Sequence, residues 1–97
     1  MNDTEAIPPE LANDVRAVRA TYPNGVPPAE YEPLVYLLCE SMSKRGAART
    51  LELCGIRDYY GAYNDIQGVA YNHAQYAEAA KPVLEKLMRH GFVPDAD

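Results

Sequence analysis

The run from Tyr22 to Leu34, reading Tyr-Pro-Asn-Gly-Val-Pro-Pro-Ala-Glu-Tyr-Glu-Pro-Leu, constrains the fold of this chain more than any other stretch. It holds a helix stop, a tight turn and a helix start. Tyr22 precedes a proline, which crowds it out of the α region and ends the helix before it. Asn24 and Gly25 both tolerate positive φ, so the chain can reverse there. Pro28 suits the first position of a new helix, where a missing N–H costs nothing. These are instructions for architecture rather than for chemistry.

The flanking sequence supplies the helices. Residues 1–7 read as a flexible tail and residues 8–97 as a single domain. Pro8-Pro9 opens a first helix over 8–22, with Leu11, Val15, Val18 and Tyr22 on one face and Arg16 and Arg19 opposite. A second helix over 28–42 turns Tyr31, Leu34, Val35, Leu38 and Met42 inward, widened by Leu37. Pro33 lies too deep for its first turn, which predicts a tightened or kinked start. Ser43 caps a third helix over 44–54 with Ala47, Ala48, Leu51 and Cys54 inward, and Gly55 ends it in a left-handed conformation.

From Ile56 to Asn64 the apolar period dissolves, and Asp65 is expected to cap a short fourth helix over 65–72 carrying Ile66, Val69 and Ala70. Gly68 inside it costs about 1 kcal/mol relative to alanine. Asn72 and Gln75 imitate a capping box for a last helix over 74–90, with Tyr76, Ala80, Val83, Leu84, Leu87 and Met88 inward. Pro82 bends that helix or delays its regular part, and His90 sits at its C-terminal end, where a partly protonated imidazole is favoured. No segment alternates with period two for long enough to be a strand. The expected fold is all-α, a compact single-domain bundle of about five helices.

The same turn carries a resemblance. Tyr22-Pro23, Gly25-Val26-Pro27, Glu30-Tyr31 and Pro33-Leu34, with the closing Gly91-Phe92-Val93-Pro94, resemble a family of small all-helical actinobacterial proteins of unknown function. That family more often has tryptophan where this chain has Phe92, and residues 56–73 match it poorly. The resemblance implies a five-helix bundle and a bacterial cytoplasmic setting, or a phage of such bacteria. It implies no activity.

Size and charge narrow the function classes. A chain of 97 residues makes one domain and buries a little over ~60% of its unfolded surface, so one modest core suffices. With one Phe and no Trp, that core must be aliphatic and filled by some of the eight tyrosines. The formal charge of −5 argues against nucleic acid, since Lys and Arg on phosphates supply most non-specific affinity. No apolar run reaches the roughly 20 residues that span a bilayer, and Met1 to Ile7 lack the order of a signal peptide. A cytoplasmic location without membrane contact is expected.

Candidates for chemistry are few. Cys39, Cys54, His73 and His90 are the soft metal ligands, and none lies two to five residues from another, the spacing that structural zinc sites favour. No metal and no cofactor is expected. Cys39 and Cys54 both fall late in helices, where the dipole disfavours a thiolate, and read as buried free thiols about 12 Å out of register for a bridge. Glu30 and Glu32 lie two apart and cannot share a helix face. No serine elbow or phosphate loop is present, so the chain reads as a non-enzyme. A helix-turn-helix with Gly55 as its turn glycine would place branched apolar residues about six and nine positions later, where Gly61 and Asn64 stand.

Two polar features remain. Lys44, Arg45 and Arg49 crowd the start of the third helix, where positive charge opposes the dipole. Glu40 and Glu52 can compensate them, which makes a solvated face the bland reading. Arg57, Tyr59, Tyr60, Tyr63 and Tyr71 form a tyrosine-rich segment. Its rings either roof a core short of Phe and Trp or meet another protein, since tyrosine is enriched at protein interfaces. The expected function is a small non-enzymatic protein-interaction module that uses those residues. The alternatives are a DNA-associated regulator using Lys44, Arg45 and Arg49, or a phage-encoded modulator of a host protein.

Overall fold

A computed structural model describes residues 7–94; the expected tail over residues 1–7 lies outside these except for Ile7. Five α-helices follow in order: α1 (Pro9–Thr21), α2 (Pro28–Ser41), α3 (Lys44–Leu53), α4 (Tyr59–Tyr71) and α5 (Ala77–Arg89). A 3-10 turn, His73–Tyr76, joins the last two. There is no strand among the described residues, as an all-α bundle requires.

The turn at Tyr22 works as its residues dictate. The Tyr22 N–H donates back to Val18 C=O (3.0 Å) and Gly25 N–H to Tyr22 C=O (3.2 Å), closing one reversal. Gly25 alone of the pair takes positive φ (101°), and Asn24 stays on the negative side. Pro28 opens α2, whose first turn is tightened by an i→i−3 bond from Glu30 N–H to Pro27 C=O (2.9 Å); α2 then continues through Pro33.

Helices α3 and α5 stop by one mechanism. Gly55 (φ 72°) and Gly91 (φ 97°) each follow the cap residue in the left-handed conformation. Ile56 N–H reaches Leu51 C=O and Phe92 N–H reaches Leu87 C=O, both at 3.0 Å, the six-to-one bond of a Schellman motif. Both motifs also place an apolar side chain against the core, with Phe92 buried and Ile56 packed against it.

The core gathers one face from every helix. Leu34, Leu38, Leu51, Ile66 and Leu87 are wholly buried, with Val15, Val18, Val35, Val69 and Val83 around them. Met88, expected inside, is exposed, because α5 turns Leu87 and Val83 inward instead. The fourth helix differs most from expectation. It begins at Tyr59 rather than at Asp65, because Asp58 caps it: its Oδ2 accepts Gly61 N–H at 3.0 Å. Ala62 thereby becomes a core residue beside Ile66 and Val69. Asn72 closes α4 by donating its side-chain Nδ2 to Gly68 C=O (3.2 Å), and forms no capping box with Gln75. The regular part of α5 is delayed to Ala77, five residues ahead of Pro82.

Candidate interaction face

The α3–α4 hairpin brings together two features that lie apart in the sequence. Ser43 and Asp58 start the two helices alike, each accepting the N–H of a glycine three residues on, Gly46 and Gly61, at 3.0 Å. The antiparallel return sets the start of α3 beside the middle of α4, and Lys44 Nζ donates to Gln67 Oε1 at 2.8 Å. Arg45 then shares a shallow cleft of about 420 Å³ with Tyr59, Tyr60, Tyr63, Asn64 and Gln67.

The tyrosines divide by burial. Tyr59 and Tyr63 are half-buried and pack on the core, roofing it, with ring centroids 6.2 Å apart. Tyr60 stacks edge-on against Tyr59 (5.4 Å, 87°) and is otherwise free, 82% exposed. Tyr71 is 90% exposed. Eleven residues is close to three full turns, so Tyr60 and Tyr71 stand on one face of α4, about 16 Å apart along its axis. Asn64, Gln67 and Gly68 lie between them, all exposed. Adjacent Tyr59 and Tyr60 thus point to different sides, as neighbours on a helix must.

Other candidates make contacts within the chain. Arg57 donates from Nε to Asp65 Oδ2 (2.9 Å) and lies over Gly61, where an added Cβ would come within 2.7 Å of the guanidinium carbon. The Asp65 carboxylate raises the guanidinium's affinity for its proton. Arg49 pairs with Glu52 one turn on in α3. Of the three cations expected at the start of α3, Arg45 has no hydrogen-bond or carboxylate partner among the described residues, and Lys44 bonds only to a neutral amide. No acidic residue occupies the first turn of α3, so both charges oppose the helix dipole uncompensated from within that turn.

A second constellation, around the start of α2, has no signature in the sequence. Tyr22 Oη donates to Glu30 Oε1 (2.7 Å), and Lys86 from α5 donates to both oxygens of that carboxylate (2.9 and 2.8 Å). Tyr31 Oη donates to Asp65 Oδ2 (2.6 Å), the oxygen that also accepts Arg57, and Tyr76 Oη donates to Glu32 (3.2 Å). The bonds from Lys86 and Tyr22 hold the Glu30 carboxyl below its usual range. Burial, reinforced by the adjacent carboxylates, pushes the Tyr22 and Tyr31 phenols well up. These contacts link helices far apart in sequence, and no local pattern announces such pairs.

No group of three or more His, Cys, Asp or Glu side chains is placed to hold a metal ion among the described residues. Cys39 and Cys54 are free and half-buried. Burial raises both thiols, Cys54 to about 11, and Cys54 Sγ lies 3.7 Å from Val15 C=O. His73 meets Glu40 and stacks on Tyr36 (4.8 Å), while His90 caps α5. No described helix is long and apolar enough to cross a membrane.

Fold and surface together define a compact five-helix bundle with one tyrosine-lined polar face. Comparison with protein-family models, curated proteins and solved structures finds no match to this chain.

Proposed function

We propose that this protein is a non-catalytic interaction module that holds another protein against α4, working in a bacterial cytoplasm. The observation that carries the reading is the pair Tyr60 and Tyr71, 82% and 90% exposed on one helix face. Large rings left in water on a folded surface are well suited to the centre of an interface, where tyrosine is enriched. A catalytic reading finds less support, because both thiols are raised by burial and neither is hydrogen-bonded to a base. DNA is not proposed as the partner: the chain carries −5, and Arg49 of the basic trio is paired with Glu52. Kinship with the small actinobacterial family belongs to the same proposal, supported by the Tyr22–Leu34 turn and the Gly91–Pro94 ending.

Affinity capture from an actinobacterial lysate, read by mass spectrometry, tests it. The wild-type bait should retain a partner that a Tyr60→Ala/Tyr71→Ala bait of equal stability loses. A partner held equally by both baits would move the interface off α4.

A further inference from the structure

Resting on that reading, we infer that the α4 face takes an acidic peptide segment of its partner, with carboxylates on Lys44 and Arg45 and apolar side chains on the tyrosine rings. The basis is charge complementarity in a cleft that runs against the charge of the whole molecule. The protein carries −5, yet the cleft formed by Arg45, Tyr59, Tyr60, Tyr63, Asn64 and Gln67 has no carboxylate in its lining. The cleft at the α3–α4 turn contains Glu52 and Asp58, and the one between α1 and α3, which Arg45 also borders, contains Glu10 and Asp14. The α2–α5 cleft contains Glu40. The cleft beside the Tyr22 turn is free of carboxylates too, but it has no cation in its lining.

Four other cations of the described surface meet acids, whereas Arg16 and Arg19 bond to the neutral oxygens of Asn13 and Leu53 and Arg89 pairs with no described carboxylate. Lys86 has Glu30, Lys81 has Glu78, Arg57 has Asp65 and Arg49 has Glu52. Lys44 and Arg45 have none among the described residues, and they stand where the helix dipole makes their charge unfavourable. A carboxylate bound beside them relieves that repulsion and gains a charge-assisted hydrogen bond from a guanidinium able to grip both of its oxygens. Asn64 and Gln67 each carry a donor and an acceptor suited to the main chain of a bound peptide. The span from Tyr60 to Tyr71, about 16 Å, accommodates roughly five extended residues. A single strand of nucleic acid could also stack on exposed tyrosines. The small number of free cations and the net negative charge favour a peptide, whose few carboxylates need only two cations rather than a basic track.

A random 12-residue peptide display library tests this, selected separately on the wild-type chain, on Lys44→Glu/Arg45→Glu and on Tyr60→Ala/Tyr71→Ala. A labelled 12-nucleotide oligothymidine is titrated into each chain in parallel. Circular dichroism and thermal melts first establish that all three are folded. The wild-type chain should enrich Asp and Glu several-fold together with apolar residues, in peptides whose binding weakens at least tenfold between 0.05 and 0.5 M salt. The charge-reversed chain should lose those peptides and enrich Lys and Arg. Selected peptides without acidic excess, failure to enrich any peptide, the same peptides on both chains, or oligothymidine binding tighter than the best peptide would each overturn the inference. The tyrosine variant separates the two readings. If it keeps the wild-type acidic peptides, the α4 interface itself is wrong. If it loses its lysate partner while charge reversal does not, the interface stands and the acidic preference falls.

Discussion

The start of α2 and the α3–α4 face both combine tyrosines with cations and end in opposite states. Around α2, Tyr22, Tyr31 and Tyr76 each donate to a carboxylate, and Lys86 and Arg57 join two of those acids from other elements. On the α3–α4 face, Tyr60, Tyr71 and Arg45 make no hydrogen bond among the described residues. The first region ties α5 and α4 to α2 and so contributes to the fold. The second contributes little to the isolated molecule. A tyrosine count says nothing of role; what matters is whether each phenol and each cation has already met its complement inside the chain.

Both regions rest on one core, and the largest expected effects test that. Leu38 lies beneath the α2 side and Leu51 beneath the α3 side, each wholly buried. Truncation of either to alanine should cost about 2–5 kcal/mol in urea denaturation, transfer and cavity terms together. A loss under ~1 kcal/mol at Leu51 alone would mean that the α3–α4 hairpin is loosely packed, and the two regions would then differ in rigidity as well as in partners.

The next effect is specific to the α2 region. Tyr31→Phe removes a hydrogen bond to the Asp65 carboxylate and should cost about 1–2 kcal/mol, whereas Tyr60→Phe should cost nothing measurable. Titration adds a signature with opposite limbs. The folded Tyr22 and Tyr31 phenols lie above their ordinary 10.0, so their contribution is complete below that pH and is lost as pH climbs beyond it. The Glu30 carboxyl is lowered from 4.5, so its contribution is present above that value and disappears as pH falls through the folded pKa. Asp14, raised by burial, works the other way at acid pH and softens that loss. Thermal melts across pH should show Tyr31→Phe flattening the alkaline limb and leaving the acid one. An unchanged alkaline limb would remove Tyr31 from the stabilising set.

Two glycines of α4 sharpen the contrast within a single helix. A Cβ at Gly61 would come within 2.7 Å of both the Arg57 guanidinium and the Asp58 cap, so Gly61→Ala must displace them and should destabilise by about 1 kcal/mol. A Cβ at Gly68 meets nothing, and Gly68→Ala should stabilise by about 0.5–1 kcal/mol through helix propensity. Equal effects of one sign, measured by denaturant melts, would show that α4 does not divide into a packed start and an open middle.

How much of this the sequence announces follows from the range of each signal. Pro28, Ser43, Gly55 and the leucine stripes act within a turn or two, and they specify four helices and the buried leucines directly. The start of α4 is locally encoded as well: Asp58 stands three residues before Gly61 as Ser43 stands before Gly46. Two adjacent tyrosines and a glycine mask that cap, and Asp65 offers a plausible false one. The tyrosine segment is visible as a candidate interface, but its sorting into roof and surface depends on where α4 begins. The meeting of Arg45 with Tyr60, and of Glu30 with Lys86, depends on how the helices pack. No spacing along the chain encodes those contacts.

The smallest stability effect carries the most functional content. Tyr60→Ala should change the unfolding free energy by less than about 0.5 kcal/mol, because a ring 82% exposed surrenders little buried apolar area on truncation. Its one ring contact, the edge-on stack against Tyr59, is worth about 0.5 kcal/mol at such an exposed site. Binding should respond very differently. A ring that becomes fully covered by a partner forfeits 2 kcal/mol or more when removed, which is at least a thirtyfold loss of affinity. Calorimetric melts and capture of the lysate partner, run on the same variant, therefore separate the possibilities. Intact stability with lost capture fits an interface centred on Tyr60. A stability loss of several kcal/mol with normal capture would instead place Tyr60 with Tyr59 and Tyr63 as core roofing, and α4 would join the α2 region as scaffold.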